Sequence, residues 1–101
     1  MRKYTVVLSD EAMADINALF NYITNELKQK ETAFRYRTKL IGKINALPTY
    51  AASVSITPNV YIQSLYGPGA RRVNCGKMAI IYLIKDDFIC IKRVMAASLI
   101  R

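Results

Sequence analysis

Apolar and polar positions along this chain change their spacing twice, and the changes divide it into elements. Tyr4-Thr5-Val6-Val7-Leu8 is short and rich in β-branched residues, which predicts a strand. Ser9 follows as a helix N-cap, with Asp10 and Glu11 placing negative charge on the first turn. Ala12, Ile16, Leu19, Phe20, Ile23 and Leu27 then recur at three and four residues, the apolar stripe of an amphipathic helix. Asp15, Asn17, Asn21 and Asn25 lie off that stripe. Lys28-Gln29-Lys30 interrupts it, and a second stripe begins near Glu31 or Thr32: Ala33, Tyr36, Leu40, Ile41, Ile44, Leu47. Pro48 ends this helix because proline cannot continue the hydrogen-bond ladder. Two helices with so short a joint fold back as a hairpin.

The second half changes to strand spacing. Residues 49–59 read as a loop, and Val60 to Leu65 as a strand, followed by a turn or bulge at Gly67-Pro68-Gly69. Ala70 to Val73 continues as strand, and Asn74 to Lys77 forms a hairpin turn around Gly76. Met78 to Ile84 is nearly all apolar, the mark of a central strand covered on both faces. Lys85-Asp86-Asp87 turns the chain into a last strand from Phe88 to Val94, and no element is predicted for residues 95–101. The order implies a single α+β domain over residues 1–101, β-α-α-β-β-β, with a helical hairpin packed on an antiparallel sheet.

Composition narrows what such a fold can do. The apolar runs are too short to span a membrane. The N-terminus lacks the long apolar stretch of a secretory signal, so a cytoplasmic protein is expected. The chain has no histidine, which removes His-based triads, His general bases and His zinc ligands. Its two cysteines, Cys75 and Cys90, read as free thiols of a reducing compartment and are too few for a structural zinc site. No cofactor and no metal are expected.

Charge is the strongest functional signal. Fifteen Lys and Arg face seven Asp and Glu, for a net charge of +8. Residues 1–31 carry four basic and five acidic side chains; residues 32–101 carry eleven basic and two acidic ones. A field this one-sided suits nucleic acid, an enzyme bound to it, or an acidic protein. Arg71 and Arg72 alternate sides if they lie on a strand, and either meet an acidic partner or phosphate or act as solubilising edge charge. Lys92-Arg93 could hold a partner carboxylate or pair with Asp86 or Asp87. Arg35, Arg37, Lys39 and Lys43 read as a solvated helix face, Tyr82 as a packed ring with its hydroxyl at the edge, and Asp10, Glu11 and Asp15 as complements to the helix dipole.

The chain resembles the RelE/ParE toxin superfamily of type II toxin–antitoxin modules over almost its full length. The resemblance is carried by Tyr4-x-Val6-x-Leu8-Ser9-x-x-Ala12-x-x-Asp15-Ile16, by Ala33 and Leu47-Pro48, by Gly69-x-Arg71-Arg72, by Ile80-Ile81-Tyr82, and by Ile89-x-Ile91-x-Arg93-Val94. It implies the same small fold and a cognate antitoxin, acidic and partly disordered, that keeps the toxin silent in a hetero-oligomer. Members of the RelE type cut messenger RNA on the ribosome; members of the ParE type poison DNA gyrase and cut nothing. The RelE type implies an Arg just before the Ile-x-Tyr strand and cations beyond the last strand, where this chain has Ala79 and Met95-Ala96-Ala97-Ser98. The ParE-like reading is therefore preferred: inhibition of gyrase or another topoisomerase by protein contact, no catalytic residue, and Arg71, Arg72, Lys77, Arg93 and Arg101 facing partners. The alternatives are a ribosome-dependent ribonuclease using Arg72, Lys77, Arg93 and Arg101, or a module that only binds its antitoxin.

Overall fold

A computed structural model describes residues 3–100 of the chain. Strand β1 (Thr5–Leu8) leads through Ser9 into helix α1 (Asp10–Asn21). The Ser9 side chain accepts from the backbone N–H of Ala12, so the first turn is capped as the sequence predicts. The end of this helix widens into a π-helical turn at Tyr22–Glu26, where the Leu27 N–H donates to the Tyr22 carbonyl at 3.2 Å. The wider turn rotates Leu27 off the buried stripe, and Leu27 is exposed although its spacing from Ile23 placed it inside. Helix α2 (Lys30–Ala46) follows and tightens into 3₁₀ turns at Leu47–Thr49 and Ala51–Ser53.

The segment expected as a strand at Val60 to Leu65 is a helix, α3 (Val60–Tyr66). Asn59 caps it by accepting from the Ile62 N–H at 3.0 Å, and the Gln63 side chain donates to the Thr57 carbonyl at 2.6 Å. Ile62 and Tyr66, four apart, turn inward, while Val60, Tyr61 and Leu65 face out. Gly67 then takes φ 115°, a conformation that favours glycine, and the helix stops.

Three strands complete the sheet: β2 (Arg71–Cys75), β3 (Met78–Lys85) and β4 (Phe88–Ala96), in the order β1-β4-β3-β2. The β2–β3 and β3–β4 pairs are antiparallel, as expected. β1 joins parallel to β4, with Thr5 opposite Phe88 and Leu8 opposite Ile91, so the sheet is mixed. The crossover that a parallel pair requires is everything between β1 and β4, the helices and the β2–β3 hairpin. Strand β4 also runs past Val94 to Ala96, and residues 97–99 close in a 3₁₀ turn where no element was expected.

Both faces of the sheet are covered. On the inner face Ile80, Tyr82, Ile89, Ile91 and Val94 meet Ala12 and Ile16 of α1 and Leu40 and Ile44 of α2. On the outer face Ala79 and Ile81 lie under Ile62 of α3, with Tyr66, Met95, Ala97 and Ile100 packed around them. Ala79 to Tyr82 are each 0% exposed, so β3 is the doubly covered strand that its apolar run implies.

Candidate functional site

Arg71, Arg72, Lys77 and Arg93, the described members of the five cations singled out in the sequence, do not gather in one pocket. Arg71 and Arg72 do point to opposite sides of β2. The Arg71 guanidinium folds over the loop after α2, donating to the carbonyls of Ala52 (3.3 Å) and Val54. It meets no carboxylate among the described residues. Arg72 lies on the other side, where its Nε donates to Asn74 Oδ1 at 3.1 Å and the guanidinium stays near water. Lys77 stands exposed at the β2–β3 turn. Arg101 lies outside the described residues.

Arg93 is engaged from within, and by a carboxylate other than Asp86 or Asp87. Its Nε donates to Asp15 Oδ2 at 2.7 Å and its Nη2 to Oδ1 at 3.0 Å, a two-point ion pair. The Asp15 carboxylate also accepts from the Val94 N–H at 2.9 Å. This contact has a topological reason. β1 pairs with β4 only as far as Ile91, which leaves the following stretch of β4 without a strand neighbour on that side. There the Ser9 N–H donates to the Ile91 carbonyl, the Ser9 hydroxyl to the Lys92 carbonyl, and Asp15 receives the Val94 N–H. The start of α1 thus takes over the hydrogen bonding of a strand that has ended. The bidentate bond to Asp15, with Tyr66 nearby, holds Arg93 firmly in its charged form, above the already high arginine range. Asp15 is therefore structural in a way that dipole complementarity does not capture.

Register relates two of the cations. Arg72 of β2 and Arg93 of β4 both lie opposite Ile81 of β3, so their backbones are about 10 Å apart across one row. Tyr82, one residue further on, is fully buried and donates its hydroxyl to the Ala51 carbonyl at 2.9 Å. Burial pushes its pKa up to about 12, with nearby Arg71 opposing the shift. Ala79, Met95 and Ala97, at positions where a RelE-type site implies cations nearby, pack together beneath α3.

Apolar surface is the feature the sequence pattern hid. Met13 of α1 and Ile41 of α2, 50% and 39% exposed, border a groove of about 160 Å³ between the helices, floored by Ile16 and Ile44 and flanked by Asn17 and Arg37. Ile41 belongs to the predicted buried stripe, yet no element covers it. A second apolar face is carried by α3, where Val60 is 77% exposed beside Tyr61 and Leu65. The signal for α3 was present as Pro58-Asn59 before the run and Gly67-Pro68 after it, a helix start and a helix stop. No group of three or more His, Cys, Asp or Glu able to hold a metal occurs among the described residues. Nor, among them, is any helix long and apolar enough to cross a membrane.

Comparison with known proteins gives this surface a context. A chain described as "Chromosomal ParDE TA system from P. aeruginosa" has a similar structure, with a TM-score of 0.77 and 18% identity over 93% of this chain and 96% of that one. A chain described as a mutant of YafQ from E. coli is similar at a TM-score of 0.55 and 16% identity, over 95% of this chain and 96% of that one. Identities this low establish the shared fold. No curated protein sequence matches the chain significantly. The family described as the ParE toxin of the type II toxin–antitoxin system parDE matches residues 6–98, nearly the whole length. On that match the chain belongs to the ParE toxin family.

Proposed function

We propose that this ParE-type toxin acts in the cytoplasm as one domain, inhibiting DNA gyrase or a related topoisomerase by direct contact, and that a cognate acidic antitoxin neutralises it. The observation that carries this reading is the pairing of open apolar surface with unpaired cations. The α1–α2 groove at Met13 and Ile41 suits an amphipathic segment, and Arg37 at its border suits the carboxylates of such a segment. A disordered acidic chain that folds on binding would fill this groove and cover α3 as well. The excess of cations would speed the encounter. Arg72 and Lys77 are the cations we assign to partner contact. Arg71 would contribute through the loop it braces, and Arg93 through the sheet edge that it and Asp15 hold together. Arg101 keeps a partner-facing role in this proposal.

Contact is favoured over RNA scission by the chemistry within reach. In-line attack of a 2′-hydroxyl needs a base, an acid and cations at the phosphate. The Tyr82 hydroxyl is turned to a backbone carbonyl, and Ala79, Met95 and Ala97 are packed apolar side chains. A supercoiling and cleavage-complex assay with purified gyrase tests the proposal. Loss of supercoiling with accumulation of cleaved DNA is expected, reversed by equimolar antitoxin. Full gyrase activity at saturating protein would overturn it, as would messenger RNA cut on translating ribosomes.

A further inference from the structure

The basic side chains of α2 fall into two groups on the folded molecule. Arg37 turns toward α1, its guanidinium 5.5 Å from the centre of the Phe20 ring. Arg35 and Lys39 lie on the other side, where with Thr32 and Tyr36 they line an open groove of about 230 Å³. Lys43 continues that line one turn on, its ammonium 5.5 Å over the Tyr50 ring. Arg35, Lys39 and Lys43 are spaced by four residues, a rise of about 6 Å per step along a rigid axis. The backbone of Lys77 is held beside them. The Tyr36 hydroxyl accepts from the Lys77 N–H at 3.2 Å and donates to the Cys75 carbonyl at 3.3 Å, which pins the β2–β3 turn to this side of α2.

We propose that Arg35, Lys39, Lys43 and Lys77 form a binding surface for the phosphate backbone of a double-helical nucleic acid. Three observations favour that ligand over an acidic peptide. None of these four cations has a carboxylate partner among the described residues, and α2 carries a single carboxylate, Glu31, in its first turn. A merely solubilising face would mix both signs. The groove is lined by Thr32, Arg35, Tyr36 and Lys39 with no aliphatic side chain, whereas a peptide interface draws its affinity from apolar anchors. Exposed apolar side chains lie elsewhere, among them Met13 and Ile41 at the α1–α2 groove, Phe34 against Phe20 of α1, and Val60, Tyr61 and Leu65 on α3. A row of cations at regular spacing along one helix matches a polyanion whose charges also repeat at a fixed spacing. This surface would bind its ligand whichever enzyme the toxin inhibits.

Fluorescence anisotropy of the whole protein with a short labelled duplex of mixed sequence tests it. Four phosphate contacts predict a roughly 100-fold loss of affinity between about 50 and about 200 mM salt. Arg35→Gln, Lys39→Gln and Lys77→Gln should each lower the slope of log K against log salt by about 0.9. Arg37→Gln and Lys85→Gln remove the same charge away from this surface and should leave the slope unchanged. An unaltered urea midpoint in every variant excludes misfolding. DNA and RNA duplexes of equal length are compared, and the tighter of the two names the source of the backbone. Equal slope losses at Arg37 and Lys39 would reduce the effect to net charge and overturn the proposal. So would binding of polyglutamate in place of either duplex, or no duplex binding at low salt.

Discussion

The two faces of the sheet are covered by very different amounts of protein. Two long helices close the inner face, and Leu40, Ile80, Tyr82, Ile89 and Ile91 there are wholly buried. The outer face has the seven residues of α3 and the few after β4, joined over Ala70, Ala79 and Ile81. Two of those three residues are alanines, so less apolar area is buried beneath this thin cover than on the inner face and less free energy holds it down. What remains exposed differs as well. The inner-face helices present a groove and a row of cations on their outer surface, while α3 leaves most of its own apolar side in water. The outer layer is therefore expected to open locally at lower cost than the inner one.

Substitutions in each layer sharpen this contrast. The largest effect is expected for Leu40→Ala at the centre of the inner core, a loss of about 4 kcal/mol in urea unfolding. Ile62→Ala beneath α3 should cost about 2.5 kcal/mol. More tellingly, hydrogen exchange should speed up in α3 and residues 97–100 while α2 amides keep their protection. Equal acceleration in both layers would remove the distinction. Asp15→Asn, at the seam where α1 completes the edge of β4, should cost about 1.5 kcal/mol, the value held down because Arg93 is 35% exposed. Tyr82→Phe should cost the least near neutrality, about 1 kcal/mol for the bond to Ala51.

The alkaline limb of the stability profile gives Tyr82 a second signature. Its folded pKa, about 12, lies above the ordinary value of 10.0 that holds when the chain is unfolded. Above pH 10 the unfolded chain releases this proton and the folded chain retains it, so stability falls between pH 10 and about pH 12. The contribution is fully present below pH 10, and Tyr82→Phe should flatten that limb in pH-dependent unfolding.

Elements with strong local periodicity are legible in the residues. Ser9 announces α1, Pro48 closes α2 within two residues, and the run from Met78 identifies the strand buried on both faces. The run at Val60 reads as a strand because Val, Tyr and Ile favour strands, while the capping bond from Asn59 and the packing of Ile62 outweigh that preference. The parallel pairing of β1 leaves no local mark, since it depends on where the helices return the chain. The ion pair of Asp15 with Arg93 joins residues 78 apart, and no spacing rule reaches that far. Arg71, Arg72 and Lys77 stand out as charges, but burial and geometry alone separate the arginine that braces a loop from the one that faces water.

The pairing of Thr5 with Phe88 sets a schedule for biosynthesis. The first strand has no neighbour until the last one has left the ribosome, and at ordinary elongation rates that wait lasts roughly 4 to 16 s. Throughout it the nascent polypeptide cannot close its sheet. The row that sets Arg72 and Arg93 on either side of Ile81 exists only once β4 has emerged.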